Sequence, residues 1–299
     1  ALFRAHRGRA RGQHPPRCRE RGRLMGAPWP SARTRFAGVI GWPIDHSLSP
    51  AMHNAAFRAL GLDWAYLAFP IAPDNVERGV RGLFDAGCAG LNVTIPHKQA
   101  VLACCDEVTP AVQAIGAANT LVPAGDGRIR GDNTDAAGFL RALDEAAPLD
   151  LAGADVLMIG AGGAARAIAF ALGGRGARLQ VANRTPARAA ELGTPVPFEV
   201  DAIAEAASRA VLVVNATSLG MGADAVPSEL PVDALGPGQV AYDIVYRREP
   251  TPWLRAAAAR GARTVDGLGM LLHQGAAAFA QWTREEPPID AMRSGLLAT

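Results

Sequence analysis

The chain has 299 residues, 49% of them hydrophobic and 19% charged, enough apolar material for two moderate cores and too much for disorder over most of its length. No stretch approaches the roughly 20 uninterrupted apolar residues that a membrane span requires, so the composition reads as that of a soluble protein. The net charge of +2 hides an imbalance: residues 1–35 hold ten Arg against the single acid Glu20, which leaves −7 on residues 36–299 and no basic bias toward nucleic acid there.

Residues 1–35 are rich in Arg, Gly and Pro without a periodic apolar pattern, so they are expected to be a disordered extension. The expectation is upstream sequence ahead of a start near Met25; an organelle transit peptide and a nucleic-acid-binding arm are the alternatives. Cys18, Cys88, Cys104 and Cys105 show no CxxC spacing and read as free thiols of a reducing compartment, the cytoplasm.

From Phe36 short β-rich runs alternate with helical stretches. Phe36 to Gly41 reads as a strand, and Ser49-Pro50 as a helix start with Ser at the N-cap, Pro at the first helical position and Gly61 past the end. A strand over Trp64 to Pro70, a helix over Asp74 to Asp85 and a strand over Gly90 to Ile95 follow, and Pro96 suits the first turn of another helix. Parallel β/α alternation is the simplest summary. A second series starts near Ala154, with strands expected at Asp155 to Ile159, Arg178 to Ala182, Val211 to Asn215, Val240 to Ile244 and Arg263 to Val265. That spacing is the signature of repeated βα units in an open doubly wound sheet. A boundary is placed at about Asp135, and helices after Leu268 are expected to fold back on the first half.

The strand ending at Ile159 runs straight into Gly160-Ala161-Gly162-Gly163-Ala164-Ala165. Gly160 allows a tight turn, Gly162 lets backbone approach a pyrophosphate, Ala165 permits close helix packing, and the helix's unpaired amides face the anion. The next strand ends at Asn183-Arg184-Thr185 rather than at an acidic residue that would hold ribose hydroxyls. A guanidinium there favours the 2′-phosphate of NADP, and Arg188, four residues on and so on the same face of a helix, would add a second cation.

Two further runs bear ionisable groups beside small hydrogen-bonding side chains: Leu91-Asn92-Val93-Thr94-Ile95-Pro96-His97-Lys98 and Gly131-Asp132-Asn133-Thr134-Asp135. A lone Lys is ordinarily solvated, and Asn-Thr-Asp alone is ordinarily a turn or cap. Together with a dinucleotide-type loop they describe a pocket for a polyhydroxylated small molecule. His46, His53, His97 and His273 lack metal-ligand spacing and read as structural or solvated, and no metal site is expected.

These runs, with Pro43 to Pro50, Gly116 to Thr120, Asn215 to Ser218, Tyr242 to Tyr246 and Asp266 to Gln274, resemble in the same order the motifs of shikimate dehydrogenases, over about residues 36–282. The resemblance implies an α/β protein of two domains with the active site between them. One is a substrate domain from residues 36–134 plus 267–299; the other is a Rossmann-like NADP domain from residues 135–266. It implies reversible NADP-linked interconversion of 3-dehydroshikimate and shikimate by a monomer or homodimer, with no membrane or nucleic-acid partner. Carried over residue by residue, Lys98 and Asp135 are catalytic. Ser47 and Ser49 hold the substrate carboxylate with Tyr246 nearby, and Asn92, Thr94, Asn119, Asp135 and Gln274 serve the ring hydroxyls. Gly160, Ala161, Gly162, Gly163, Ala164, Asn183, Arg184, Thr185 and Arg188 hold the cofactor, with Ile244 and Gly267 at its nicotinamide end. Pro110 departs from the acidic residue of many members and is assigned nothing.

A ketone gaining hydride builds negative charge on oxygen, so a donor must deliver a proton there, and an ammonium such as Lys98 meets the need. Desolvation would lower its pKa and the Asp135 carboxylate would raise it, so the two are read as a coupled pair. The rivals are an NAD-using quinate/shikimate dehydrogenase and a catalytically silent NADP-binding module. Arg184 speaks against the first, and the presence of both Lys98 and Asp135 against the second.

Overall fold

The computed structural model describes residues 29–222 and 224–298. The readings of residues 1–28, including the start near Met25, lie outside the described residues; the expected extension to residue 35 is corrected at its end, where Thr34 Oγ1 donates to Asp63 Oδ1 at 2.7 Å and Arg35 pairs with Trp64 in the first strand. The chain runs β1 (Arg35–Gly41), α1 (Ser49–Ala59), β2 (Trp64–Pro70), α2 (Val76–Asp85), β3 (Leu91–Val93), β4 (Glu107–Val108), α3 (Pro110–Ile115), β5 (Thr120–Gly125), β6 (Arg128–Asp132) and α4 (Asp135–Ala146). It continues with β7 (Asp155–Ile159), α5 (Gly163–Gly174), β8 (Arg178–Ala182), α6 (Pro186–Ala190), β9 (Thr194–Val196), α7 (Val200–Arg209), β10 (Leu212–Asn215), β11 (Val240–Asp243), α8 (Pro252–Ala259), β12 (Arg263–Val265), α9 (Gly267–Thr283) and α10 (Ile289–Leu297).

The strands form two six-stranded sheets. The second, in the order β12-β11-β10-β7-β8-β9, is parallel throughout; five of its strands fall within a residue of the expected ones, and the edge strand β9 was not expected. Its centre is buried on both faces, Val156 to Ile159 and Leu212 to Val214 being fully enclosed, which is why these strands read as continuous apolar runs. The chain reverses its direction of winding between β7 and β10, the crevice where such sheets bind ligands.

The first sheet, in the order β2-β1-β3-β5-β6-β4, corrects the expectation of purely parallel alternation. β1, β2 and β3 are parallel, whereas β5 runs antiparallel to both β3 and β6. Between β5 and β6 the cause is a hairpin at Gly125-Asp126-Gly127, where φ is 85°, 50° and 72°; a glycine-flanked Asp suits left-handed backbone and was a legible hairpin signal.

Helices α9 and α10 return to this half. Leu272, Ala276, Phe279, Trp282, Met292 and Leu296 share one apolar cluster with Val39, Met52, Phe57 and Tyr66. Helix α9 also lies against α4 at backbone contact: a Cβ on Gly138 would stand 2.7 Å from the Gln274 nitrogen. No helix among the described residues is long and apolar enough to cross a membrane.

Candidate active site

Lys98 sits beyond the end of β3, on a run of turns rather than in the helix expected from Pro96. Its carbonyl accepts the Ala118 N–H at 2.8 Å and is therefore taken from an α-helical ladder, so only a short 3₁₀ turn forms at Ala100–Cys104. The side chain crosses to α4, where Lys98 Nζ donates to Asp135 Oδ2 at 2.6 Å, the two side chains being 13% and 5% exposed.

Asp135 is held from several directions. Its Oδ1 accepts from Asn119 Nδ2 at 2.8 Å, and its backbone N–H donates to Asn133 Oδ1, while Asn133 Nδ2 donates to the Ala117 carbonyl. Thr134 occupies the N-cap position of α4, yet its side chain makes no capping bond; its N–H donates to Asn119 Oδ1 at 2.7 Å. The plain turn-and-cap reading of Asn-Thr-Asp thus fails for Thr134. Asn119 Nδ2 also lies 3.2 Å from Gln274 Oε1, a residue 155 positions away, and Gln274 Nε2 is spent on the Leu271 carbonyl.

Asn92 joins from β3, its Nδ2 donating to the Asn119 carbonyl at 3.2 Å. Tyr66 completes the network and was missed in the sequence reading: its hydroxyl donates to Asn92 Oδ1 at 2.7 Å and so orients that amide. Burial pushes the Tyr66 hydroxyl well above its usual range, with Cys88 and Tyr246 adding to the rise, so it stays a donor. Its signal was a polar-tipped aromatic on the buried side of an apolar strand. Beneath it His53 stacks on the Tyr66 ring at 4.3 Å, and burial lowers the imidazole to about 3, which keeps it neutral.

Ser47, Ser49, Thr94 and Tyr246 are not hydrogen-bonded into this network among the described residues. Ser49 does not cap α1: it is the first helical residue, Leu48 holds the N-cap position, and the Ser49 N–H donates to Ser47 Oγ at 3.3 Å. Pro50 is accordingly the second helical residue. Thr94 packs against the end of β1, where a Cβ on Gly41 would stand 2.6 Å from its methyl group. Tyr246 is half-buried, and burial raises its hydroxyl.

On the other half, Gly160 has φ 111°, and a Cβ there would lie 2.7 Å from the Thr217 methyl and 2.9 Å from the Ala216 carbonyl oxygen. A Cβ at Gly162, the N-cap of α5, meets no atom within 4 Å. Ala161 and Ala165 are buried beneath the loop, and Gly163 and Ala164 are half-buried. An open cradle of glycine backbone at a helix N-terminus fits a pyrophosphate. Asn183 Nδ2 donates to the Thr185 carbonyl, and Arg184 and Arg188 are exposed. The two do not share a helical face: β8 ends at Ala182 and α6 begins only at Pro186, so Arg184 lies in the connecting turn.

The far end of the crevice is held by Asn215 and Asp243, paired residues at the ends of β10 and β11. Asn215 Nδ2 donates to Asp243 Oδ1 at 2.9 Å, and Ile244 N–H donates to the Asn215 carbonyl. Gly267 packs so closely that any side chain would collide with the Ile244 carbonyl. The two halves meet at Lys98, where a Cβ on Gly163 would stand 2.9 Å from Lys98 Cβ.

A glycine-rich strand–turn–helix facing a buried amine–carboxylate pair defines a dinucleotide-linked oxidoreductase. The family described as "Shikimate dehydrogenase substrate binding domain" matches residues 39–121, "Shikimate / quinate 5-dehydrogenase" residues 142–220, and "Shikimate 5'-dehydrogenase C-terminal domain" residues 267–296. The chain is 42% identical over 280 residues to "Shikimate dehydrogenase (NADP(+))" of Desulforamulus reducens, covering 89% of this chain and 96% of that protein. Identity reaches 46% over 274 residues with the enzyme of the same name from Moorella thermoacetica, covering 87% and 92%. The crystal structure of shikimate 5-dehydrogenase from Thermus thermophilus in complex with NADP(H) and shikimate superposes with a TM-score of 0.76 at 40% identity, over 88% of this chain and 98% of that one. The chain belongs to the shikimate dehydrogenase family.

Proposed function

We propose that this protein interconverts 3-dehydroshikimate and shikimate with NADP, through the Lys98–Asp135 pair. The observation that carries the reading is the 2.6 Å ion pair, tied through Asn119 to Asn92 and Gln274 and set against the glycine loop. Residues 36–134 with 267–299 form the substrate half, and residues 135–266 the NADP half.

Asn92, Asn119, Gln274 and Thr94 present amides and a hydroxyl to the ring oxygens, while Ser47, Ser49 and Tyr246 offer hydroxyl donors to the carboxylate. The open backbone at Gly160 to Ala164 takes the pyrophosphate, and Asn183, Arg184, Thr185 and Arg188 take the adenosine 2′-phosphate. Ile244 and Gly267 wall the nicotinamide end. The bound cofactor supplies or accepts the hydride. Lys98 Nζ delivers a proton to the ring oxygen as the ketone is reduced and takes it back in oxidation, and Asp135 keeps the amine aimed at that oxygen. The setting is cytoplasmic, with small molecules rather than nucleic acid or membrane as partners.

The test is initial rate at the reduced-nicotinamide absorbance band with shikimate or quinate under NADP or NAD. Shikimate with NADP is expected to be fastest. Preference for quinate with NAD overturns the assignment, and absence of turnover with every pair overturns the enzyme reading.

A further inference from the structure

Three carbons of the Lys98 stem occupy the space that a side chain on Gly163 would need. A Cβ built there would stand 2.9 Å from Lys98 Cβ, 3.2 Å from Cδ and 3.5 Å from Cγ. The first contact is too short for any real pair of carbons, and it involves the rooted end of the side chain. That end cannot step aside at low cost, because the Lys98 carbonyl is held by Ala118 N–H at 2.8 Å and the turn after it by Val101 N–H on the His97 carbonyl. Gly162, one residue earlier, is the opposite case, since nothing lies within 4 Å of a Cβ there. Neither glycine is a positive-φ residue, so backbone conformation does not explain why both positions lack a side chain.

We propose that Gly163 is a positioning residue for the reaction: its lack of a side chain leaves the space through which the Lys98 stem runs to Asp135. This rests on the dehydrogenase reading of the site. A glycine loop contributes to cofactor binding through its amides, and at this position it also sets the direction of the proton-transferring amine. An added methyl must push Lys98 or the start of α5 by about 0.5 Å to regain ordinary contact. Displacements of about 1 Å in a catalytic group cost on the order of 100-fold in rate.

The experiment compares Gly163→Ala with Gly162→Ala. For Gly163→Ala, kcat should fall on the order of 10- to 100-fold, while the dissociation constant for NADP, read by fluorescence titration, changes much less. For Gly162→Ala, the change should appear mainly in NADP affinity. A second readout needs no cofactor. Lys98 is the only lysine in the chain, so its acylation by an amine reagent can be followed by mass spectrometry, and it should quicken several-fold in Gly163→Ala as the amine leaves Asp135.

If Gly163→Ala does not fold, the pair Lys98→Gly/Gly163→Ala carries the test. Removing the Lys98 Cβ removes the collision, so the double variant should fold where the single one does not. The inference is overturned by a Gly163→Ala enzyme altered only in NADP affinity, by unchanged Lys98 acylation, or by a double variant as damaged as the single one. A wild-type protein inactive with shikimate and NADP defeats instead the functional reading on which the inference rests.

Discussion

Replacing Asp243 by Asn should stabilise the protein at alkaline pH and not at acid pH. Asp243 is fully buried at the end of β11, where Oδ1 accepts from Asn215 Nδ2 at 2.9 Å and Val245 N–H at 3.0 Å, and Oδ2 accepts from Thr251 Oγ1 at 2.8 Å. Three donors favour the carboxylate, but burial outweighs them and pushes the group from an ordinary 3.8 up to about 6. That rise is worth about 3 kcal/mol. Because the folded state holds this proton to higher pH than the unfolded chain, the contribution to stability is full below about pH 4, declines through about pH 6 and is gone above it.

Asparagine keeps the shape, with Oδ1 accepting from Asn215 and Val245 and Nδ2 donating to Thr251 Oγ1, whose own proton then loses its acceptor at about 1 kcal/mol. The net expectation is a gain of about 2 kcal/mol at pH 8 that shrinks to zero or slightly reverses at pH 4. Urea unfolding followed by circular dichroism across that range measures it. A stability difference that does not vary with pH, or one that grows toward acid, refutes the reasoning. Asp243→Ala removes every acceptor and should loosen Ile244, raising the KM for NADP.

Lys98→Ala should lower kcat on the order of 100- to 10,000-fold with a modest change in KM for shikimate; a defect mainly in KM would make Lys98 a binding residue. Arg184→Asp should raise the KM for NADP on the order of 10- to 100-fold and leave that for NAD nearly untouched, and equal effects on the two cofactors would remove the 2′-phosphate assignment. Gly138→Ala drives a methyl into the Gln274 backbone at 2.7 Å, so it should lower the unfolding midpoint and raise the KM for shikimate through Gln274. A variant of unchanged stability and KM would show that α4 and α9 separate freely.

The NADP-type half was almost fully legible from local pattern. Each apolar run of β7, β8, β10, β11 and β12 stands next to its own helix in sequence, and a strand buried on both faces announces itself residue by residue. Gly160 at the end of such a run carries its reason in the chain, since the turn there needs φ above zero. Lys98, Asp135, Asn92, Asn119 and Gln274 were legible as residues, and the motifs placed them in one pocket.

What no window of sequence contained was how they meet. The 3₁₀ turn after Lys98 and the part played by Tyr66 each depend on groups far away in the chain. The Lys98 carbonyl is turned by Ala118, the Asn92 amide by Tyr66, and Gln274 reaches Asn119 only because α9 buries its apolar face against α1 and α4. Local preference is worth tenths of a kcal/mol per residue, whereas a buried donor or acceptor left unpaired costs about 1–3 kcal/mol. Where the two conflict, the distant partner decides the backbone, and only the folded chain reveals it.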